Sequence, residues 1–77
     1  MRTKMRSGLL AHRQAANLSQ DQLAKLARIY SPRVRVTQPQ ISRIERRLVQ
    51  RVGFPVLNAI AKALRRVGRH VAPEDLL

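Results

Sequence analysis

Apolar residues recur along this chain at steps of three and four, and the phase is reset wherever a cap, a proline or a glycine stands. Residues 5–16 read as a first helix with Met5, Leu9, Leu10, Ala15 and Ala16 on its apolar side. Gly8 weakens it by about 1 kcal/mol relative to alanine if it lies in the helix interior. Asn17-Leu18-Ser19 ends this helix and starts the next. Ser19-Gln20-Asp21-Gln22 fits a capping box, with serine at the cap and glutamine three residues on. Leu23, Leu26, Ala27 and Tyr30 continue the second helix, which is expected to stop near Ile29 or Tyr30 because Ser31-Pro32 disfavours the helical region. Ser31 to Val36 alternates polar and apolar, but a lone strand has nothing to pair with, so a loop is expected. Thr37 then caps a third helix that carries Pro39 near its start and an apolar stripe at Ile41, Ile44 and Leu48. A basic connection with Gly53 follows, and Phe54-Pro55 opens a fourth helix. Val56, Leu57, Ile60, Ala61, Ala63, Leu64 and Val67 give that helix a wide apolar face, and Gly68 suits its end. Pro73 to Leu77 reads as one last helical turn with acids in the first turn. The pattern predicts an all-α fold.

Composition narrows the class. The chain has 77 residues, 44% of them hydrophobic, which suits one small packed helical domain. Tyr30 and Phe54 are the aromatics, so aliphatic side chains and alanine must fill the interior. There is no cysteine, hence no disulfide framework and no thiolate metal site. His12 and His70 are far apart in sequence with no ligand-like neighbours, and no cofactor is expected. No run of apolar residues is long enough to span a bilayer. The basic start, residues 1–4, is followed by no hydrophobic signal region and reads as an arm ahead of a domain at 5–77.

Charge changes the picture most. Lysine and arginine number 16 against 4 acidic residues, a formal charge of +12. The positive residues are spread through capped helices instead of forming one block, as expected of a folded basic domain and not of a basic tail. Such a domain suits a polyanion. Arginine predominates, and its planar fork binds phosphate and base edges bidentately. The third helix shows Gln38, Gln40, Ser42, Arg43 and Arg46 away from its apolar stripe. Amides and guanidinia are the groups that pair with purine edges in the major groove. Two readings of that face stand at this point, a base-reading surface and an ordinary solvated one.

The strings Leu18-Ser19-Gln20, Leu23-Ala24, Val36-Thr37-Gln38, Ile41-Ser42-Arg43-Ile44-Glu45 and Ile60-Ala61-Lys62-Ala63-Leu64 resemble the phage-repressor (Cro/C1, xenobiotic-response-element) helix-turn-helix family. The resemblance covers residues 5–77. It implies a compact five-helix, lambda-repressor-like domain whose second and third helices meet DNA. It implies that Gln38, Pro39, Gln40 and Arg43 face base edges and that Gln20 contacts a backbone phosphate. Pro39 departs from the polar residue common there, which removes one base contact. Arg13 and Glu45 match a pair that forms a buried salt bridge in some members. Leu23, Ala27, Ile41, Ile44, Leu57, Ile60 and Leu64 match core positions. The stretch from Ala27 to Val36 exceeds the tight turn usual between the two DNA-reading helices, so an enlarged turn is expected. The extra residues either lengthen the second helix or form a loop carrying Arg33 and Arg35. Those arginines either touch phosphate or the minor groove, or ride on a tolerated insertion.

These readings lead to a sequence-specific double-stranded DNA-binding transcriptional regulator, with residues 38–46 in the major groove and Gln20, Arg46, Arg47 and Arg51 on phosphates. The resemblance implies a homodimer on a twofold site, a bacterial or phage origin and a cytoplasmic, nucleoid-associated place. Val67 to Leu77 is the candidate dimer surface, with packing of Leu76 and Leu77 on the core as the competing reading. Two alternatives remain: an antitoxin that binds a toxin protein and represses its own operon, and a basic protein binding RNA or the nucleoid without sequence preference. The scarcity of aromatics argues against single-strand stacking. Asp21, Glu45, Glu74 and Asp75 form no plausible acid–base pair, and Ser7, Ser19, Ser31 and Ser42 lack a neighbouring His–Asp arrangement, so no enzymatic activity is expected.

Overall fold

Local hydrogen bonding of side chains to backbone decides where each helix starts. In a computed structural model describing residues 8–46 and 53–76, the elements are α1 (Gly8–Ala15), α2 (Gln20–Tyr30), α3 (Gln38–Glu45), α4 (Phe54–Arg66) and a 3-10 turn (Pro73–Leu76). No strand occurs among the described residues. The capping box of α2 is made: Gln22 N–H donates to Ser19 Oγ at 3.0 Å, and Ser19 N–H to Gln22 Oε1 at 2.8 Å. The same device opens α3, where Gln40 N–H donates to Thr37 Oγ1 at 3.3 Å and Thr37 N–H to Gln40 Oε1 at 2.9 Å. Each box satisfies two backbone donors that the first turn leaves orphaned.

Two helices end by one mechanism. Asn17 adopts φ 63° after α1, and Leu18 N–H and Asn17 N–H donate to the carbonyls of Arg13 and Gln14. Gly68 adopts φ 93° after α4, and Arg69 N–H and Gly68 N–H donate to Leu64 and Arg65. Both are Schellman closures, which need a left-handed residue; glycine takes that conformation freely and asparagine tolerates it.

The first helix ends one residue earlier than its periodicity implied. It closes at Ala15, and residues 5–7 lie outside the described residues. Gly8 is not simply a weak helical position. A Cβ there would stand 1.8 Å from the carbonyl oxygen of Asp75, so the C-terminal turn approaches α1 through the space a side chain would fill. The fifth helix is a single 3-10 turn, too short to bury a face of its own except through Leu76. Between α2 and α3 the chain forms a loop, not an extension of α2.

The core sits where α2, α3, α4 and the terminal turn converge. Leu9, Leu23, Ala27, Ile41, Ile60, Leu64 and Leu76 have no exposed surface, and Ile44 and Leu57 are nearly as buried. Each such leucine or isoleucine side chain contributes about 1.5–3 kcal/mol relative to exposure. Val36 and Val71 join this core from outside any helix. Within the loop the alternation places Val34 half-buried and Val36 fully buried, with Arg33 and Arg35 exposed. Leu76 packs inward, while Val67 is 41% exposed; Leu77 and Leu48 lie outside the described residues. No helix among the described residues is long and apolar enough to cross a membrane.

Candidate nucleic-acid interface

A carboxylate is where α1, α2 and α3 meet. Glu45 ends α3, and its Oε2 accepts from Arg13 Nε of α1 at 2.5 Å while Oε1 accepts from Arg13 Nη2 at 3.0 Å. The side chains are 13% and 5% exposed, so this is a mostly desolvated, bidentate pair. Arg13 Nη1 also donates to the carbonyl of Leu18 at 2.8 Å, tying the α1–α2 turn to the same guanidinium. A carboxylate this buried would be costly without its partner, which accounts for an acidic residue amid so much positive charge.

The network continues to the surface. Gln20 Nε2, in the first turn of α2, donates to Glu45 Oε1 at 2.8 Å. Gln20 Oε1 in turn accepts from Gln38 Nε2, the first residue of α3, at 2.5 Å. The N-termini of α2 and α3 are therefore locked side by side through a chain of side chains anchored in the interior. An exposed amide ordinarily samples many rotamers; this one is held by its neighbour, so less entropy is lost when it meets a ligand.

The remaining residues of the face separate by geometry. Gln38, Pro39 and Arg43 are exposed on α3, and Arg46 is exposed at its C-cap. Ile41 and Ile44 occupy the opposite side and are buried. Gln40 is half-buried, and its amide oxygen is taken by the capping box, which leaves its NH₂ group for outside contacts. Both ends of the Gln20 amide are engaged within the protein. Arg33 and Arg35 stand exposed on the α2–α3 loop; Arg47 and Arg51 lie outside the described residues.

Sequence reasoning missed two features here. The Thr37–Gln40 box was hidden because Gln40 satisfies two templates at once, a polar surface position and the third residue after a threonine cap. Arg28 was also missed: its Nη1 donates to the Val36 carbonyl at 2.8 Å, closing the loop back onto α2. Nothing in local spacing marks an arginine eight residues before a carbonyl. No group of three or more potential metal ligands occurs among the described residues.

An all-α domain with two short, interlocked helices, the second buried on its aliphatic stripe and open on a face of amide and guanidinium groups, is the architecture of a helix-turn-helix module. The helix-turn-helix domain family matches residues 9–73, and the chain belongs to that family. Its affinity with the phage-repressor type agrees with the strings quoted above. No curated protein and no solved structure matches the chain.

Proposed function

We propose that this protein is a sequence-specific double-stranded DNA-binding transcriptional regulator that inserts residues 38–46 in the major groove. The observation that carries this reading is the Gln20–Gln38 interlock, anchored on the buried Arg13–Glu45 pair. It holds Gln38 at the exposed start of a helix that also presents Arg43. Gln38 and Arg43 are the principal base-reading side chains: a glutamine amide matches adenine N6/N7, and an arginine fork matches guanine O6/N7. Gln40 adds its amide hydrogens, and Pro39 offers apolar contact of the kind a thymine methyl accepts. Gln20 reaches phosphate with what its amide retains, chiefly the second N–H and the backbone at the start of α2. Arg46 holds backbone phosphate, as do Arg47 and Arg51 in the segment beyond it. Arg33 and Arg35 add backbone contacts from a loop that is enlarged for this family. Residues 1–4 act as a basic arm, and two copies bind a twofold site.

The test is selection of bound sites from random duplex DNA. An enriched word, repeated with twofold symmetry, supports the reading; no preferred word from a folded protein overturns it. The charge of +12 favours a second reading, binding of any polyanion through phosphates alone. In that case binding in the presence of mixed competitor DNA collapses, whereas specific binding survives. Copurification of a toxin protein would move the role from regulator to antitoxin.

A further inference from the structure

The loop between α2 and α3 encloses an open-mouthed pocket of about 500 Å³, lined by Arg28, Pro32, Arg33, Val34, Arg35 and Thr37. We propose that this pocket is a phosphate-binding site, formed by the Arg28, Arg33 and Arg35 guanidinia with Thr37 at its edge. The proposal rests on the assignment of Arg33 and Arg35 to phosphate and extends it to a built site with an inner wall.

Three observations carry it. The first is charge without compensation. The chain has 4 acidic residues. Asp21 pairs with Lys25, Glu45 with Arg13, and Asp75 accepts from the Ala72 N–H; neither these nor Glu74 lines the pocket. Three arginines therefore share a concave surface with no carboxylate, an arrangement whose electrostatic deficit an anion relieves. The second is order. Arg28 Nη1 is tied to the Val36 carbonyl at 2.8 Å, which fixes one guanidinium and leaves its other N–H groups to donate. Val34 is half-buried and Val36 fully buried, so the loop backbone is pinned to the core on both sides of the exposed Arg35. The third is chemistry. Guanidinium forks match the oxygens of a phosphate group, and a volume of this size admits a phosphate with a further substituent. Pro32 and Val34 supply apolar wall for that substituent.

The phosphate has two possible sources, a DNA backbone and a free phosphorylated molecule, and the experiment separates them. Arginine Nε–H and backbone amide signals of the full chain are followed by NMR while sodium pyrophosphate is added at constant ionic strength, with chloride as reference. A second titration uses a mixed-sequence duplex. Saturable shifts at Arg28, Arg33, Arg35 and Thr37 with pyrophosphate, absent with chloride, are expected. Arg33→Ala with Arg35→Ala should weaken that binding about tenfold or more, as loss of charged hydrogen bonds requires. Lys62→Ala, exposed on α4, should leave it unchanged. Displacement of pyrophosphate by the duplex identifies the backbone as the source; retention alongside the duplex identifies a free phosphorylated ligand. If these four residues respond no more than the other arginines in either titration, the proposal is overturned. Failure of the base-reading assignment shows elsewhere, as unmoved signals at Gln38 and Arg43 with the duplex.

Discussion

Gln38 donates its side-chain amide to Gln20 Oε1 at 2.5 Å, joining the first turn of α3 to the first turn of α2. Because Gln20 itself leans on the buried Glu45 carboxylate, a solvent-facing residue takes its orientation from the interior. Gln20→Ala should therefore lower affinity for the selected DNA site by about 1–2 kcal/mol, mainly through Gln38. Thermal stability should change little, since the Arg13–Glu45 pair survives. Isothermal titration beside a melting curve reads both. Unchanged affinity would mean that the interlock does not prepare Gln38 for binding.

Glu45→Ala leaves the Arg13 guanidinium largely buried without a counter-charge. Stability should fall by about 3–5 kcal/mol, a large part of what a small domain possesses. Urea denaturation measures it. A loss under about 1 kcal/mol would show that water compensates Arg13 after all.

Arg43→Ala removes an exposed fork from the last turn of α3 without touching the core. The expected result is a loss of about 1–3 kcal/mol in discrimination at one base position, with the rest of the site unaltered. Competition binding against single-base variants of the selected site checks it. Equal weakening on every sequence would reassign Arg43 to phosphate.

Gly8→Ala tests the contact between α1 and the C-terminal turn. Alanine would normally favour a helix by about 1 kcal/mol. Here its methyl meets the Asp75 carbonyl oxygen, so a net destabilisation of about 1–3 kcal/mol is expected. A melting temperature that rises would mean the terminal turn yields without cost.

Thr37→Ala removes the side-chain acceptor that opens α3. About 1 kcal/mol of stability should be lost, seen as a lower urea midpoint. An unchanged midpoint would mean that Pro39 and the packing of Ile41 hold the start of α3 without the cap.

Much of this could be seen in the chain itself. Helix starts were legible because Ser19 and Thr37 each act on an amide three residues away. The core stripes of α2, α3 and α4 were legible because burial follows a 3.6-residue period. Local order does not carry contacts between segments. The buried roles of Val36 and Val71 depend on what lies across from a loop, and Gly8 answers to a carbonyl 67 positions later in the chain, from residue 8 to residue 75. Gln40 looked like a surface amide until its oxygen was found on the Thr37 N–H.

The order of amino acids by itself determined the helical class, the caps and the aliphatic faces, because each depends on neighbours within about one helical turn, and composition alone set the surplus of positive charge. Tertiary packing decided the rest: that Arg13, Gln20, Gln38 and Glu45 form one network, and that Arg28, Arg33 and Arg35 line one pocket. Such groups are brought together only when separate helices bury their apolar stripes against one another, and the direction of each polar side chain is fixed by that burial.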